Sequence, residues 1–201
     1  HVGELLQSWY QTQKKIIEKV RGAPTKEAFL SLQDSLEEGI CRASQAIFQA
    51  AAVDPNLHGM CTGLDLILLL GSHALIAHVG NGRTFLVRKN ESHLLTEDHT
   101  QLAHLRRIGK LDGVSTQQQS SFAKRLTRAV GFQEAVKIDF LLVELEGGDR
   151  FVLMTDGVWQ QLGERTTFSF LERKLVASEL LDVLHLAVTE AVAKDNFTSL
   201  I

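Results

Sequence analysis

Long apolar runs are the first thing this 201-residue chain lacks: its longest clean run covers residues 66–70, far short of the roughly 20 residues that a membrane span needs. No charged-then-apolar leader opens the chain, so no membrane span is expected. A basic excess is missing as well. The chain has 21 Lys and Arg against 24 Asp and Glu, for a formal net charge of −3, which argues against nucleic acid as a general partner. Two cysteines, Cys41 and Cys61, cannot build a disulfide framework or a Cys-rich zinc site. They read as small buried hydrophobes in a reducing, cytoplasmic compartment. Also absent are a GxxxxGK[ST] phosphate loop, an HExxH zinc helix and a GxSxG nucleophile elbow. The eight histidines are scattered without metal-ligand spacing and read as surface or hydrogen-bonded core residues.

What is present is the balance of one ordinary globular domain, 44% hydrophobic and 22% charged. Leu5, Leu6, Trp9, Ile16, Ile17 and Val20 follow helical spacing up to Gly22 and Pro24. Thr25 then reads as an N-cap, with Glu27 suited to the helix dipole. Phe29, Leu32, Leu36, Ile40, Ala43 and Ile47 stripe a second helix, which ends at Asp54-Pro55-Asn56. Residues 64–89 read as three antiparallel strands, with Asn81-Gly82 as the hairpin turn between the second and third. Residues 100–111 return to helical spacing, and 112–121 read as a polar, Gln-rich loop. Residues 140–145 and 150–155 read as a strand pair around Glu146-Gly147-Gly148-Asp149. A long helix is expected from about 176 to 194, followed by a strand beginning at 197. Hairpins rather than βαβ units predict an α+β class.

Two carboxylates sit where chemistry is placed most easily. Asp156 follows the apolar strand Phe151-Val152-Leu153-Met154 and precedes Gly157; Asp195 follows the long helix. Such carboxylates at the ends of elements suit hard cations such as Mg²⁺ or Mn²⁺. Spacing alone equally allows an Asp-Gly turn and an ordinary helix terminator.

The surrounding strings carry more. Gly59-Met60-Cys61-Thr62, residues 77–83 (AHVGNGR), Leu95-Thr96-Glu97-Asp98-His99, residues 126–131 (LTRAVG), residues 146–157 (EGGDRFVLMTDG) and Lys194-Asp195-Asn196-Phe197-Thr198 occur in one order. Together they resemble the metal-dependent type-2C, or PPM, Ser/Thr protein phosphatase family across nearly the whole chain. The resemblance implies a four-layer sandwich, two antiparallel sheets packed face to face between helix pairs. It also implies two Mn²⁺ or Mg²⁺ ions that activate a bridging water for attack on phosphoserine or phosphothreonine, so no protein nucleophile is needed. Asp156 and Asp195 would bind one metal, with Gly157 and Asn196 shaping the loops around it. The partner would be a phosphorylated signalling protein, the substrate of an opposing Ser/Thr kinase.

Departures from the family pattern set further expectations. The chain is read as one domain, residues 1–201, lacking the family's first strand with its acidic residue and phosphate-holding Arg. In the family a DGHGG-like motif precedes the first helix; His1-Val2-Gly3 matches its tail, which makes His1 a candidate general acid or else a frayed terminus. A chain without the upstream acidic residues is expected to be a weak enzyme, whatever its parent does. Asn81 stands where the family has an Asp linked to a third metal, so a third ion should bind less well; a turn preference for Asn-Gly explains the same residue. Asp65, in an apolar strand, is expected to face solvent at a sheet edge. Residues 100–131 resemble the bacterial flap that borders the active site, and Arg106, Arg107 and Lys110 there could meet an acidic phosphopeptide or simply be a solvated face. Two alternatives share the fold: a pseudophosphatase acting as an adaptor or regulator, and a phosphoprotein-binding module without turnover.

Overall fold

The computed structural model describes residues 2–191 and 195–201; His1, Lys194 and the end expected for the last helix lie outside the described residues. Among the described residues no helix is long and apolar enough to cross a membrane. The chain forms two compact units, one of residues up to Gly80 with His99–Leu145, the other of Asn81–Asp98 with Glu146–Ile201.

The first unit opens with helices α1 (Val2–Gly22) and α2 (Lys26–Val53). The Thr25 side chain accepts from the Ala28 amide and starts α2 as expected. Asp54 caps its end and leads into a single 3₁₀ turn, Pro55–Leu57. Leu32, Leu36, Ile40 and Ala43 recur at helical spacing and are fully buried. The first three pack with Trp9, Ile17 and Val20 of α1 and with Leu70, Leu75, Ala77 and Val79 of the sheet. Burying each large aliphatic side chain stabilises the fold by about 1.5–3 kcal/mol. Trp9 is pinned further, its indole N–H donating to the Ser35 carbonyl at 2.9 Å.

The sheet of this unit has the order β1-β2-β5 and is antiparallel throughout, from β1 (Leu64–Leu70), β2 (His73–Val79) and β5 (Asp139–Glu144). Its register sets Asp65 opposite His78, and His78 opposite Asp139. Asp65 does stand on an edge strand, but it does not face solvent. Its Oδ1 accepts from His78 Nδ1 at 2.8 Å, and His78 is 2% exposed. The His99 ring lies 4.6 Å from that of His78. The Gly80 amide donates to His99 Nδ1 at 3.0 Å, so the ring proton sits on Nε2 and is donated to Asp139, also at 3.0 Å. Arg128 completes the row, donating to Asp139 Oδ1 at 2.6 Å. Burial pushes the His99 pKa down to about 4, against the opposing bond to Asp139. Partial burial alone would raise Asp139, but the hydrogen bonds from Arg128 and His99 outweigh it and bring the carboxyl down to about 2.

Between these strands run α3 (Gln101–Arg107) and α4 (Thr116–Ala123). Residues 112–121 were expected to be loop throughout; instead Ser115 and Gln118 form a reciprocal capping box that starts α4.

The second unit holds the sheet β4-β3-β6-β7, from β3 (Arg83–Arg88), β4 (Glu91–Leu94), β6 (Arg150–Met154) and β7 (Ser199–Leu200). Its core gathers Phe85, Val87, Val152 and Met154 with side chains of α5 (Asp156–Leu162), α6 (Glu164–Leu171) and α7 (Ala177–Glu190). Leu180, Leu184 and Val188 form the buried stripe of α7. The class is α+β with two antiparallel sheets.

Two expected hairpins are corrected. β2 and β3 belong to different sheets, as do β5 and β6, so neither Asn81-Gly82 nor residues 146–149 joins paired strands. The two-residue turn lies one connection later, at Lys89-Asn90, where φ values of 54° and 65° carry β3 into β4. Positive φ at both central residues is the mark of a type I′ turn.

Candidate functional site

Asp156 is the first residue of α5, one residue after β6 with Thr155 between them as N-cap, and a carboxylate there is favoured by the positive end of the helix dipole. The Asp-Gly pair therefore opens a helix rather than forming an isolated turn. Two neutral donors converge on one oxygen of Asp156: Asn81 Nδ2 reaches Oδ2 at 2.8 Å, and Gln160 Nε2, one helical turn on, reaches it at 3.3 Å. Among the described residues no hydrogen bond reaches Oδ1.

Asn81 is itself anchored. Its backbone carbonyl accepts from Trp159 Nε1 at 3.0 Å. The Arg83 guanidinium lies over the Trp159 ring at 3.6 Å, and Arg83 is held by a two-pronged bond to Asp98 at 2.9 and 3.0 Å. Arg83 is only 7% exposed. Reading the sequence singled out Asn81, carried Arg83 and Asp98 only as members of the strings 77–83 and 95–99, and missed Trp159 and Gln160. Gln160 alone left a local signal, four residues after Asp156 on a helix.

Asp195 is exposed, and its Oδ1 accepts from the Asn196 amide at 2.8 Å. The backbone brings this turn to Asp156. A Cβ placed on Gly157 would lie 2.2 Å from the Asn196 carbonyl oxygen and 3.2 Å from Phe197 Cβ, so only a glycine leaves room for Asn196 to dock on the start of α5. Beside it the Thr155 amide donates to the Thr198 carbonyl at 3.0 Å, and the Thr198 amide donates to Thr155 Oγ1 at 3.0 Å. Asn81, Asp156, Gly157 and Asn196 thus meet at one end of the second unit, with Asp195 next to Asn196 in the chain.

Ionised carboxylate oxygens suit hard divalent cations, and among the described residues no donor meets the second oxygen of Asp156, so these residues fit such an ion in kind. They fill only part of the six-oxygen shell that Mg²⁺ prefers. No group of three or more His, Cys, Asp or Glu side chains is assembled to hold a metal among the described residues.

Arg106, Arg107 and Lys110 lie in the first unit, exposed on α3 and just beyond it. Arg107 Nη2 is 3.4 Å from His104 Nδ1. Arg125 and Arg128, also basic residues of segment 100–131, are turned to Gln101 and Asp139. His1 lies outside the described residues.

A family model described as Protein phosphatase 2C matches residues 1–197. The chain belongs to this family. Among protein phosphatase 2C relatives, the serine/threonine phosphatase stp of Listeria innocua is 28% identical over 168 residues, 83% of this chain and 66% of its own. The chain thus spans just under two thirds of that relative's length. Among solved structures, a serine/threonine phosphatase of S. agalactiae superposes with a TM-score of 0.74 at 24% identity, over 84% of this chain and 69% of that one. The catalytic domain of the serine threonine protein phosphatase PstP, in complex with two manganese ions, does so with a TM-score of 0.72 at 23% identity, over 98% and 78%. These likenesses show that the α+β fold with two antiparallel sheets is shared with solved protein phosphatases.

Proposed function

We propose that this chain is a single type-2C phosphatase-like domain, residues 1–201, of a cytoplasmic protein that hydrolyses phosphoserine and phosphothreonine in proteins, opposing a Ser/Thr kinase. The observation that carries the reading is the Asp156 carboxylate, held through one oxygen at the start of α5, against the turn of Asp195 and Asn196, in a chain matched by the family model almost end to end.

In this reading Asp156 and Asp195 hold one ion of a Mn²⁺ or Mg²⁺ pair, and the other ligands come from outside the described donor set. Such a pair, when bound, neutralises phosphate oxygens and lowers the pKa of water to make the nucleophile. This chain's own residues do the placing. The Asn81 and Gln160 amides fix Asp156 through one oxygen, Gly157 admits the Asn196 turn, and Asn81 contributes a neutral amide in place of a third charge. The exposed cations Arg106, Arg107 and Lys110 on the flap-like segment 100–131 receive the acidic phosphopeptide. His1 is the candidate proton donor to the leaving alcohol.

The test is hydrolysis of a phosphothreonine peptide by the whole protein across a Mn²⁺ titration, with Asp156→Ala as its partner. Saturable, Mn²⁺-dependent turnover that disappears in the variant is expected. A folded protein without turnover, or a fully active variant, overturns the reading in favour of the pseudophosphatase or binding module.

A further inference from the structure

An Asn side chain offers a carbonyl oxygen and an NH₂ group, and which one faces an ionised carboxylate is fixed by charge: only NH₂ can donate to it. Asn81 presents that NH₂ to Asp156 Oδ2 at 2.8 Å. The residue is anchored through its main chain: its backbone carbonyl accepts from Trp159, Trp159 lies under Arg83, and Arg83 is bound through two nitrogens to Asp98. The side chains of Arg83 and Asp98 are 9% and 12% exposed, so this anchor is largely shielded from water. Gln160 approaches the same Oδ2 from the helix side. A carboxylate normally offers either oxygen or both to a cation; here Oδ2 is committed to the protein, and among the described residues no donor meets Oδ1.

We infer that Asn81 is a positioning residue that holds Asp156 in one rotamer, spends Oδ2 on the amide and presents Oδ1 alone to the cation, so that Asp156 binds through a single oxygen. The inference rests on the metal reading of Asp156 given above. It assigns the Asn81 amide the work of orienting a ligand, which neither a turn preference nor a missing charge would supply.

Two measurements test it. Mn²⁺ binding to wild type and Asn81→Ala is compared by calorimetry. Partners of this kind typically control metal affinity by roughly tenfold or more, and a loss of that size is expected in the variant while its amide spectrum stays that of the folded protein. In the wild type, the Asn81 side-chain ¹H–¹⁵N pair is followed through a Mg²⁺ titration and in Asp156→Ala. It should shift with Mg²⁺, and in the variant it should move to the position of a solvated amide. An Asn81→Ala protein that binds Mn²⁺ as tightly as wild type, or an Asn81 amide unmoved by Mg²⁺ while other resonances shift, overturns the inference alone. Wild type that binds neither ion overturns the metal reading, and the inference with it.

Discussion

Asp139 and Asp65 of the first unit and Asp156 and Asp195 of the second all sit beside donors, and the two pairs differ in how their charge is answered. In the first unit Asp139 receives a guanidinium at 2.6 Å and an imidazole N–H at 3.0 Å, and Asp65 is paired with a buried histidine. Asp139 is neutralised within its own unit, which is why its carboxyl titrates near 2. In the second unit Asp156 receives two uncharged amides, both on one oxygen, and Asp195 a backbone amide. Asp139 is bound up in holding strands and loop together, whereas among the described residues the side-chain donors on Asp156 are uncharged and meet one oxygen. Counting acidic residues would not have separated them; the identity of the donor does.

The sharpest way to break that contrast is to remove one carboxylate from each set. Under the proposed metal role, Asp156→Ala should cut phosphopeptide turnover by roughly a hundredfold or more, with little change in the urea midpoint, since its side chain meets only two neutral amides among the described residues. Asp139→Ala should do the reverse. It strands Arg128 and the buried His99 N–H and should cost about 2–3 kcal/mol in urea unfolding. Equal stability losses in the two variants would show the distinction to be false.

Acid offers a second way in, through His99. Its pKa is near 6.5 unfolded and about 4 folded, so between those values the unfolded chain takes up a proton that the folded chain refuses. Stability is therefore fully present above pH 6.5 and is lost as pH falls toward 4, by about 3 kcal/mol in all at 1.36 kcal/mol per unit. Asp139, depressed to about 2, adds a further loss only below its unfolded value of 3.8. Urea midpoints at pH 7 and 4.5 should differ clearly in the wild type and much less in His99→Asn. A wild-type midpoint that does not move with pH would mean the imidazole is not held neutral by its burial.

Gly157 gives a smaller effect in the second unit. Alanine normally gains about 1 kcal/mol over glycine inside a helix, yet here its Cβ would meet the Asn196 carbonyl at 2.2 Å. Gly157→Ala should therefore destabilise by about 1–2 kcal/mol and weaken Mn²⁺ binding as the turn is pushed away. A stabilised variant would show that Asn196 does not need its seat on α5.

These tests also mark what could be read from residues in order. The helix pair, the Thr25 cap and the α7 stripe were legible because cap and period are local. Asp156, Gly157, Asp195 and Asn196 were legible as strings, each lying beside its neighbours in the chain. Strands were legible too, but not their partners: Asn81-Gly82 carries the usual hairpin signal and nevertheless joins strands of two sheets, because pairing is decided by distant partners. The same holds for the anchor of Asp98, Arg83, Trp159 and Asn81, which spans nearly eighty positions. Helix α4 is a different failure. Its capping box, Ser115 to Gln118, was present in the sequence and was outweighed by polar composition.

The smallest prediction concerns the turn that the Asn-Gly signal missed, and it adds a third, exposed carboxylate to the comparison. Lys89 occupies a left-handed position, φ 54°, where a long L side chain is unfavourable and Asn is better tolerated. Its compensation is an ion pair with Glu146 at 2.8 Å, with Lys89 78% exposed. Surface pairs of this kind contribute little, and Glu146 retains Arg88 at 3.0 Å without it. Lys89→Asn should therefore stabilise the protein slightly, by about 0.5 kcal/mol, measured as a small rise in the urea midpoint that survives added salt. A fall in the midpoint at low salt that salt abolishes would mean that the exposed ion pair outweighs the backbone. The rule separating Asp139 from Asp156 would then have to reach the surface as well.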